Sequence, residues 1–250
     1  MNILMFIIGT ILGSFYNVVG YRLPKKESII YPPSHCPNCN HKLKFYELIP
    51  IISYIVQKGK CRNCKKRISK FYPIFEFTTG LLFMLSYMSF GLDKYLIIVL
   101  AYLSLLIIIT VSDYEYMIIP DEVLIFFSVL LFIEISCMYG ISKGISSIIN
   151  GIISFIFMFI LKKIGDYIFK KESMGGGDIK LMFVNGMVLT YQIAILSVFV
   201  GSFVGLPIAL LQLKNKSEHI IAFGPFIAIG SIILLLMHID LNTIISIYNS

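Results

Sequence analysis

Long apolar runs separated by short polar segments are the main pattern along this chain. The first run covers residues 3–19, and six more follow at 74–90, 95–112, 123–139, 145–161, 181–213 and 221–239. Most are close to the roughly 20 apolar residues that a helix needs to cross a bilayer. No basic segment precedes the first run and no small-residue cleavage site follows it. We therefore interpret it as a membrane helix of the mature protein and not as a signal peptide.

The run at 181–213 is too long for one crossing and short for two. Its most polar point is Thr190-Tyr191-Gln192, so we divide it there and accept a short sixth helix. The pattern then predicts an α-helical polytopic membrane protein with about eight spans. Residues 1–20 form the first span, residues 21–73 form a polar loop, and residues 74–250 form the remaining membrane-embedded region.

The basic residues support this division. Of the 21 Lys and Arg residues, nineteen fall in one set of alternate loops and two, Lys94 and Lys143, fall in the other. An excess of this kind marks the cytoplasmic side of a membrane protein. Without the division, Lys214 and Lys216 would lie on the wrong side.

Composition agrees with the membrane class. Apolar residues make up 57% of the 250 residues and charged residues 14%, whereas soluble domains average about 45–50% and about 25%. The net charge of +7 fits attraction to anionic lipid at the inner leaflet. It is weak evidence for nucleic acid, because no aromatic-interleaved basic groove or nucleic-acid motif accompanies it.

The loop at 21–73 contains two Cys-x-x-Cys pairs. They are Cys36/Cys39 and Cys61/Cys64, with 21 residues between them. Such spacing is typical of a four-thiolate structural zinc site, and a cytoplasmic location disfavours disulfides. His35 and His41 flank the first pair and are alternative ligands, although a surface position is the simpler interpretation.

Two aspartates end apolar runs on the side predicted to be cytoplasmic. They are Asp113 and Asp178, and Asp178 follows Gly175, Gly176 and Gly177. A carboxylate next to hydrocarbon is costly and indicates function by default. Two of them are the minimum for an aspartic protease, in which the pair shares one proton and activates water. The glycines would leave room for an extended substrate backbone. The alternative is that both aspartates are solvated residues at the ends of membrane helices and have a structural role only.

Other polar residues receive structural interpretations. Asp93 and Asp240 fall on the opposite face, and Asp166 lies in a Lys-rich loop. Asp121 follows Pro120 at a helix start, where a carboxylate suits the helix dipole. Lys180 either acts on Asp178 or holds a lipid phosphate. We interpret Cys137 as a buried residue, and Gly9 and Gly13 as a contact between two helices. Glu134 either pairs with a residue inside the protein or extends its carboxylate to the membrane surface.

Taken together, these motifs resemble those of type IV prepilin peptidases along nearly the whole chain. The residues that carry the resemblance are Gly13-Ser14-Phe15-Tyr16-Asn17-Val18, Arg22-Leu23-Pro24, the four cysteines, Glu47-Leu48-Ile49-Pro50, Ser53-Tyr54, Arg67-Ile68-Ser69, Tyr72-Pro73 with Glu76, Asp113, Ile119-Pro120-Asp121, Gly175 to Leu181, and Phe223-Gly224-Pro225-Phe226.

The resemblance implies a bifunctional enzyme of the bacterial cytoplasmic membrane. Members cleave a short basic leader from prepilins or pseudopilins after a glycine. They then methylate the new N-terminal residue, commonly phenylalanine, with S-adenosylmethionine. By motif, Asp113 and Asp178 are the catalytic dyad, and the cysteine loop belongs to the region associated with methyl transfer.

Several alternatives stay open from the residues alone. Buried aspartates also serve ion-coupled transporters, and the Gly-x-Gly-Asp motif is shared with presenilin-like proteases that act on other substrates. No Gly-x-Gly-x-x-Gly loop follows a strand, so we assign no residue to the methyl donor. Asn17 and Arg22 lie at the membrane–loop junction, where Arg22 either binds a carboxylate or anchors the helix at headgroups.

Overall fold

The computed structural model describes residues 1–214 and 222–238, which are mainly helical apart from the loop between α1 and α3. The helices are α1 (Asn2–Arg22), α2 (Ile52–Val56), α3 (Phe71–Phe90), α4 (Tyr95–Tyr116), α5 (Asp121–Tyr139), α6 (Ile141–Phe169), α7 (Gly176–Leu189), α8 (Tyr191–Lys214) and α9 (Gly224–Leu236). Two isolated antiparallel bridges, His35 with Lys42 and Lys60 with Arg67, are the only β pairing within the described ranges. Asp240, Lys216 and the end of the last predicted span lie outside them.

The helical membrane class is confirmed. Five helical segments are long and apolar enough to cross a bilayer: Asn2–Lys25, Tyr95–Tyr116, Asp121–Tyr139, Ile141–Phe169 and Tyr191–Leu211. Their outer faces expose large apolar side chains, such as Ile125, Phe126 and Val129 on α5, which is the surface that lipid covers. The number of eight spans stays a prediction, because α3 is not among these five and α7 and α9 are shorter.

The break predicted at Thr190 is present. Helix α7 ends at Leu189 and α8 begins at Tyr191, while Thr190 between them has φ +68°. An L-residue with positive φ cannot continue a right-handed helix. The two helices pack against each other on either side of this residue.

The contacts of the chain divide it into two compact units, Met1–Leu92 and Asp93–Ser250. In the first unit α1 packs along α3. A Cβ placed on Gly9 would lie 2.8 Å from Cα of Gly80, so the predicted glycine contact is a place where two helix backbones touch. The assignment of functions to 1–20, 21–73 and 74–250 stays a prediction.

Helix α4 is the most buried of the five candidate membrane spans, and it contacts α5 and α9. A buried polar chain joins it to two other helices: the Tyr102 hydroxyl donates to Asn185 Oδ1 at 2.9 Å, and Asn185 Nδ2 donates to Ser231 Oγ at 3.0 Å. Hydrogen bonds of this kind hold membrane helices in register. They fix α4, α7 and α9, which carry the residues of the candidate site.

Two interpretations concerning α5 change. Cys137 was expected to be buried, but it is exposed, because α5 packs through Val123, Phe127 and Leu131 on another face. Glu134 has no internal partner for its buried Oε2 among the described residues, so the structure does not show the internal pairing that was considered for it.

Candidate active site and metal centre

Asp113 lies in the last turn of α4 and is buried, with 6% of its surface exposed. Its carbonyl accepts the N–H of Met117 at 2.8 Å, and Met117 has φ +54°, which ends the helix. The Ser112 hydroxyl donates to the carbonyl of Ile118. These bonds fold residues 117–120 back over the helix end and bring Ile119 beside the carboxylate.

Asp178 lies in the first turn of α7 and is 7% exposed. The charge of Asp113 acts on it directly, so the structure brings together the two aspartates that the sequence singled out. The Oδ1 atom of Asp178 is buried and has no hydrogen-bond partner among the described residues. This oxygen is therefore available to a water molecule or a substrate.

The three glycines before Asp178 have different surroundings. A Cβ on Gly177 would lie 2.8 Å from Cβ of Ile119, whereas a Cβ on Gly176 would meet nothing within 4 Å. Gly175 caps α7, and a Cβ there would make ordinary contact with Asp178. Gly177 therefore serves close packing, and Gly176 is the glycine that borders open space beside the dyad.

Gly224 is a site residue for which no role was predicted. Its N–H donates to Asp113 Oδ2 at 3.0 Å in a buried hydrogen bond. It is the first residue of α9, so the positive end of that helix dipole faces the carboxylate. The Gly-Pro start of a helix was visible in the sequence, but nothing local indicated which acid it would contact.

Asp121 and Lys180 form an ion pair between the first turns of α5 and α7. Lys180 Nζ lies 2.7 Å from both carboxylate oxygens of Asp121, and both side chains are about half exposed. Asp121 is the first residue of α5, as its interpretation as a helix-start residue requires. Lys180 thus has a protein partner that neither interpretation of the sequence included.

The four cysteines of the first unit form a compact cluster. Their Sγ atoms all lie within 4.8 Å of one another, with Cys36–Cys64 at 3.8 Å and Cys39–Cys61 at 3.9 Å. Metal–sulfur bonds of about 2.3 Å in a tetrahedron give sulfur–sulfur edges of about 3.8 Å. The cysteine cluster therefore has the dimensions of a tetrahedral metal site.

Both Cys-x-x-Cys turns have the same backbone. The N–H of Cys36 donates to His41 and its carbonyl accepts from Asn40; Cys61 makes the same pair of bonds with Lys66 and Lys65. Asn40 and Lys65 both have positive φ, at +52° and +60°. The two turns thus present their sulfurs in equivalent ways.

The thiols have different affinities for protons. The backbone N–H of His41 lowers the pKa of Cys39 to about 7, and the backbone N–H of Cys64 lowers the pKa of Cys61. The N–H of Lys66 acts on Cys64 in the same direction, but burial and the three neighbouring thiols raise its pKa to about 11. Four thiolates this close together need a cation, which fits a divalent metal.

The flanking histidines do not join the cluster. His35 Nδ1 lies 3.0 Å from the Pro33 carbonyl, and His41 Nε2 lies 3.2 Å from Glu47 Oε2. Burial opposes the charge of Glu47, but bonds from the Lys44 N–H and His41 hold its pKa below the usual range. Arg62 lies 3.8 Å from the other oxygen of Glu47, so this buried carboxylate joins the two cysteine turns.

Comparisons with known proteins agree with this geometry. The Bacterial Peptidase A24 N-terminal domain matches residues 7–90, and the Type IV leader peptidase family matches residues 100–210. The prepilin leader peptidase/N-methyltransferase of Bacillus subtilis is 37% identical over 98% of this chain and 96% of its own length.

Proteins of the same name from Aeromonas hydrophila and Pseudomonas aeruginosa are each 30% identical; they cover 93% and 92% of this chain and 89% and 88% of their own lengths. No solved structure gives a significant match. On these matches, the chain belongs to the type IV leader peptidase family.

Proposed function

We propose that the protein is a membrane aspartic endopeptidase that removes the short basic leader of type IV prepilins or pseudopilins after a glycine. It then methylates the new N-terminus with S-adenosylmethionine. The observation that carries the peptidase activity is the pair of buried carboxylates, Asp113 and Asp178, which interact at two helix ends. Membership of the family supports the substrate class and disfavours the transporter and the presenilin-like alternatives.

The dyad acts by sharing one proton. Two neighbouring carboxylates cannot both ionise cheaply, so one is protonated near neutral pH. The ionised member takes a proton from water as the water attacks the scissile carbonyl, and the protonated member donates to the developing oxyanion.

The two aspartates have unequal surroundings. The Gly224 N–H at the start of α9 donates to Asp113, and a donor at a helix N-terminus favours a negative charge there. Asp178 Oδ1 has no protein partner among the described residues. We therefore place the negative charge of the shared-proton state on Asp113 and the proton on Asp178.

The cysteine cluster is proposed to hold one zinc ion. All four ligand positions of a tetrahedron are filled by Cys36, Cys39, Cys61 and Cys64, which is the arrangement of structural and not catalytic zinc. A bound zinc would hold the loop at 21–73 in place of an apolar core. S-adenosylmethionine would supply a methyl group on a positively charged sulfur for the second reaction.

We also propose a location in the bacterial cytoplasmic membrane, with the active site facing the cytoplasm. This orientation rests on the uneven distribution of Lys and Arg among the loops and on both aspartates lying at helix ends predicted on the basic side. The same basic residues would contact anionic lipid headgroups. No nucleic-acid partner is expected.

The test of the peptidase activity uses three isosteric variants. Asp113→Asn and Asp178→Asn should each lower cleavage of a co-expressed prepilin by at least about a hundredfold, because one carboxylate cannot be both proton acceptor and donor. Asp93→Asn is the matched control, because Asp93 is exposed and accepts the N–H of Tyr95, a bond that an amide oxygen also accepts. Normal processing by either dyad variant, measured by gel shift in membranes, would remove the assignment.

A further inference from the structure

The first unit contains a buried carboxylate that the peptidase mechanism does not use. Glu76 lies on α3 and is 8% exposed. Its Oε2 accepts the N–H of Ile51 at 2.8 Å, and it also hydrogen-bonds to the side chain of Ser14 on α1. None of the ion pairs among the described residues includes Glu76. A carboxylate in this position without a cation is a candidate for a function.

The backbone at Ile51 is strained, and its N–H points to this carboxylate. Ile51 has φ +61° and ψ −52°, and the N–H of Ile52 donates to the carbonyl of Pro50 at 2.5 Å. This is a γ-turn of the rare, strained type, and it is centred on a β-branched residue that disfavours positive φ. The turn aims the Ile51 N–H at Glu76, so the loop holds the carboxylate in a fixed orientation.

A second buried acceptor lies on α1, three residues beyond Ser14 and therefore on the same face of that helix. Asn17 on α1 is 2% exposed, and its Nδ2 donates to the carbonyl of Tyr72 at 3.2 Å. Tyr72 precedes Glu76 by one turn of α3. The Oδ1 atom of Asn17 is buried and has no partner among the described residues. An unpaired buried amide oxygen costs about 1–3 kcal/mol, so a ligand that donates a hydrogen bond to this atom would be stabilised here.

Close packing of the two helices limits what can enter between them. A Cβ on Gly13 would lie 2.8 Å from Thr79 Oγ1 and 3.1 Å from Cα of Glu76. The region thus offers a carboxylate and an amide oxygen, both acceptors, beside helices with little spare volume. A small cation with several N–H donors could bind both oxygens at once. A primary ammonium group is such a cation.

We propose that Glu76 and Asn17 bind the N-terminal ammonium group of the polypeptide that is to be methylated, and that Glu76 accepts its proton. The substrate in this inference rests on the methyl transfer given above as the proposed function; the ammonium site itself rests on the buried acceptors. Ser14 and the Ile51 N–H hold the carboxylate, while Asn17 fixes the direction of the amine.

The reaction balances with a sulfonium methyl donor as the co-reactant. Glu76 first takes one proton from the ammonium group, which leaves a neutral amine and a carboxylic acid. The nitrogen lone pair then forms the new N–C bond while the C–S bond breaks and its electron pair returns to sulfur. The products are an N-methylammonium group and a neutral thioether, and Glu76 returns its proton to water.

Binding tests the site without requiring turnover. The full-length protein in detergent is titrated with a labelled peptide that begins with phenylalanine, either with a free amine or N-acetylated. We expect wild type to bind the free amine at least about tenfold more tightly, as a charge-assisted hydrogen bond allows. Glu76→Gln should abolish this preference, and Asn17→Ala should reduce it. Equal affinity of wild type for both peptides, or an unchanged preference in Glu76→Gln, would overturn the site.

Thr79→Val is the matched control on the same helix. Thr79 is fully buried, but its hydroxyl donates within its own helix to Phe75. This variant should keep the preference for the free amine. If Thr79→Val loses it as completely as Glu76→Gln, the effect comes from helix packing and the site is refuted.

Methyl transfer to the same pre-cleaved peptide, followed by mass spectrometry, tests the proton acceptor. Glu76→Gln should be slower by about five- to tenfold at pH 7 and should recover as the pH rises to 9, because an α-amine with a pKa of about 7.7–8.0 is mostly protonated at pH 7 and becomes neutral unaided at pH 9. A loss that does not change with pH would refute this role. If wild type binds the free amine preferentially but transfers no methyl group, the proposed methyl transfer is refuted and the ammonium site is still supported.

Discussion

Gly224→Ala is the sharpest test of how the dyad is held. The change adds one methyl group at the start of α9, on the side that faces Asp113. An ideal Cβ at this position would lie 2.7 Å from Asp113 Oδ2, 3.3 Å from its Cγ and 3.3 Å from Cδ1 of Ile119. The nearest atom belongs to the catalytic candidate itself, so no other side chain can relieve the contact by moving away.

The size of the effect follows from this distance. Ordinary contacts begin at 3.4 Å, so the carboxylate or the helix must shift by about 0.7 Å, which is the difference between the two distances. The shift would lengthen the hydrogen bond from the Gly224 N–H, and bonds to charged groups contribute about 1.5–3 kcal/mol. A misplacement near 1 Å costs about a hundredfold in rate. We therefore expect prepilin cleavage to fall by about 10- to 100-fold.

The assay compares initial cleavage rates of a prepilin in membranes with equal amounts of inserted enzyme. Ile229→Ala serves as the control, since Ile229 is on the same helix and is 40% exposed. It should cleave within about twofold of wild type, as surface substitutions usually do. Wild-type cleavage by Gly224→Ala would show that the position of Asp113 does not depend on the start of α9.

Three further predictions concern the metal centre, the open side of the dyad and the buried polar chain. Purified wild type should contain about one zinc ion per chain by elemental analysis, and Cys61→Ser should lower this content and impair N-terminal methylation more than cleavage; protein that contains no metal when purified without chelator would refute the zinc assignment. Gly176→Val should slow cleavage because its side chain would occupy the open space beside the dyad, whereas an unchanged rate would place the substrate elsewhere. Asn185→Leu leaves the hydroxyl of Tyr102 without its acceptor and should destabilise the second unit by about 1–2 kcal/mol, and an unchanged melting temperature in detergent would contradict this.

Local patterns in the sequence were sufficient for the helical membrane class and for the cysteine cluster, although α6 continues to Phe169, beyond the predicted end at 161. The break at Thr190 was predictable because three polar residues interrupt an apolar run. The cysteine turns were predictable because their ligands are spaced by the geometry of the metal, with each pair set by residues next to each other in the chain. Asp113 and Asp178 could be identified as acids at the ends of apolar runs, where a charge next to hydrocarbon is costly and therefore indicates a function.

Contacts between distant residues were not predictable in this way. Gly224 and Asp113 are 111 positions apart, and neither residue carries a signal for its partner. The role of Glu47 depends on His41 and Arg62, which lie on different cysteine turns. Cys137 illustrates the reverse problem, because an apolar helix of a membrane protein gives little indication of which face is packed and which face lipid covers.

The boundary between the two structural units, after Leu92, falls between the two family matches at 7–90 and 100–210. Each unit has its own buried acid beside a backbone donor: Glu76 accepts the N–H of Ile51, and Asp113 accepts the N–H of Gly224. In both cases the donor comes from another segment of the same unit, so each acid can be oriented without the other unit. We therefore expect the two proposed reactions to separate by substitution. Glu76→Gln should cleave prepilin normally and leave the product unmethylated, while Asp178→Asn should still methylate a pre-cleaved peptide.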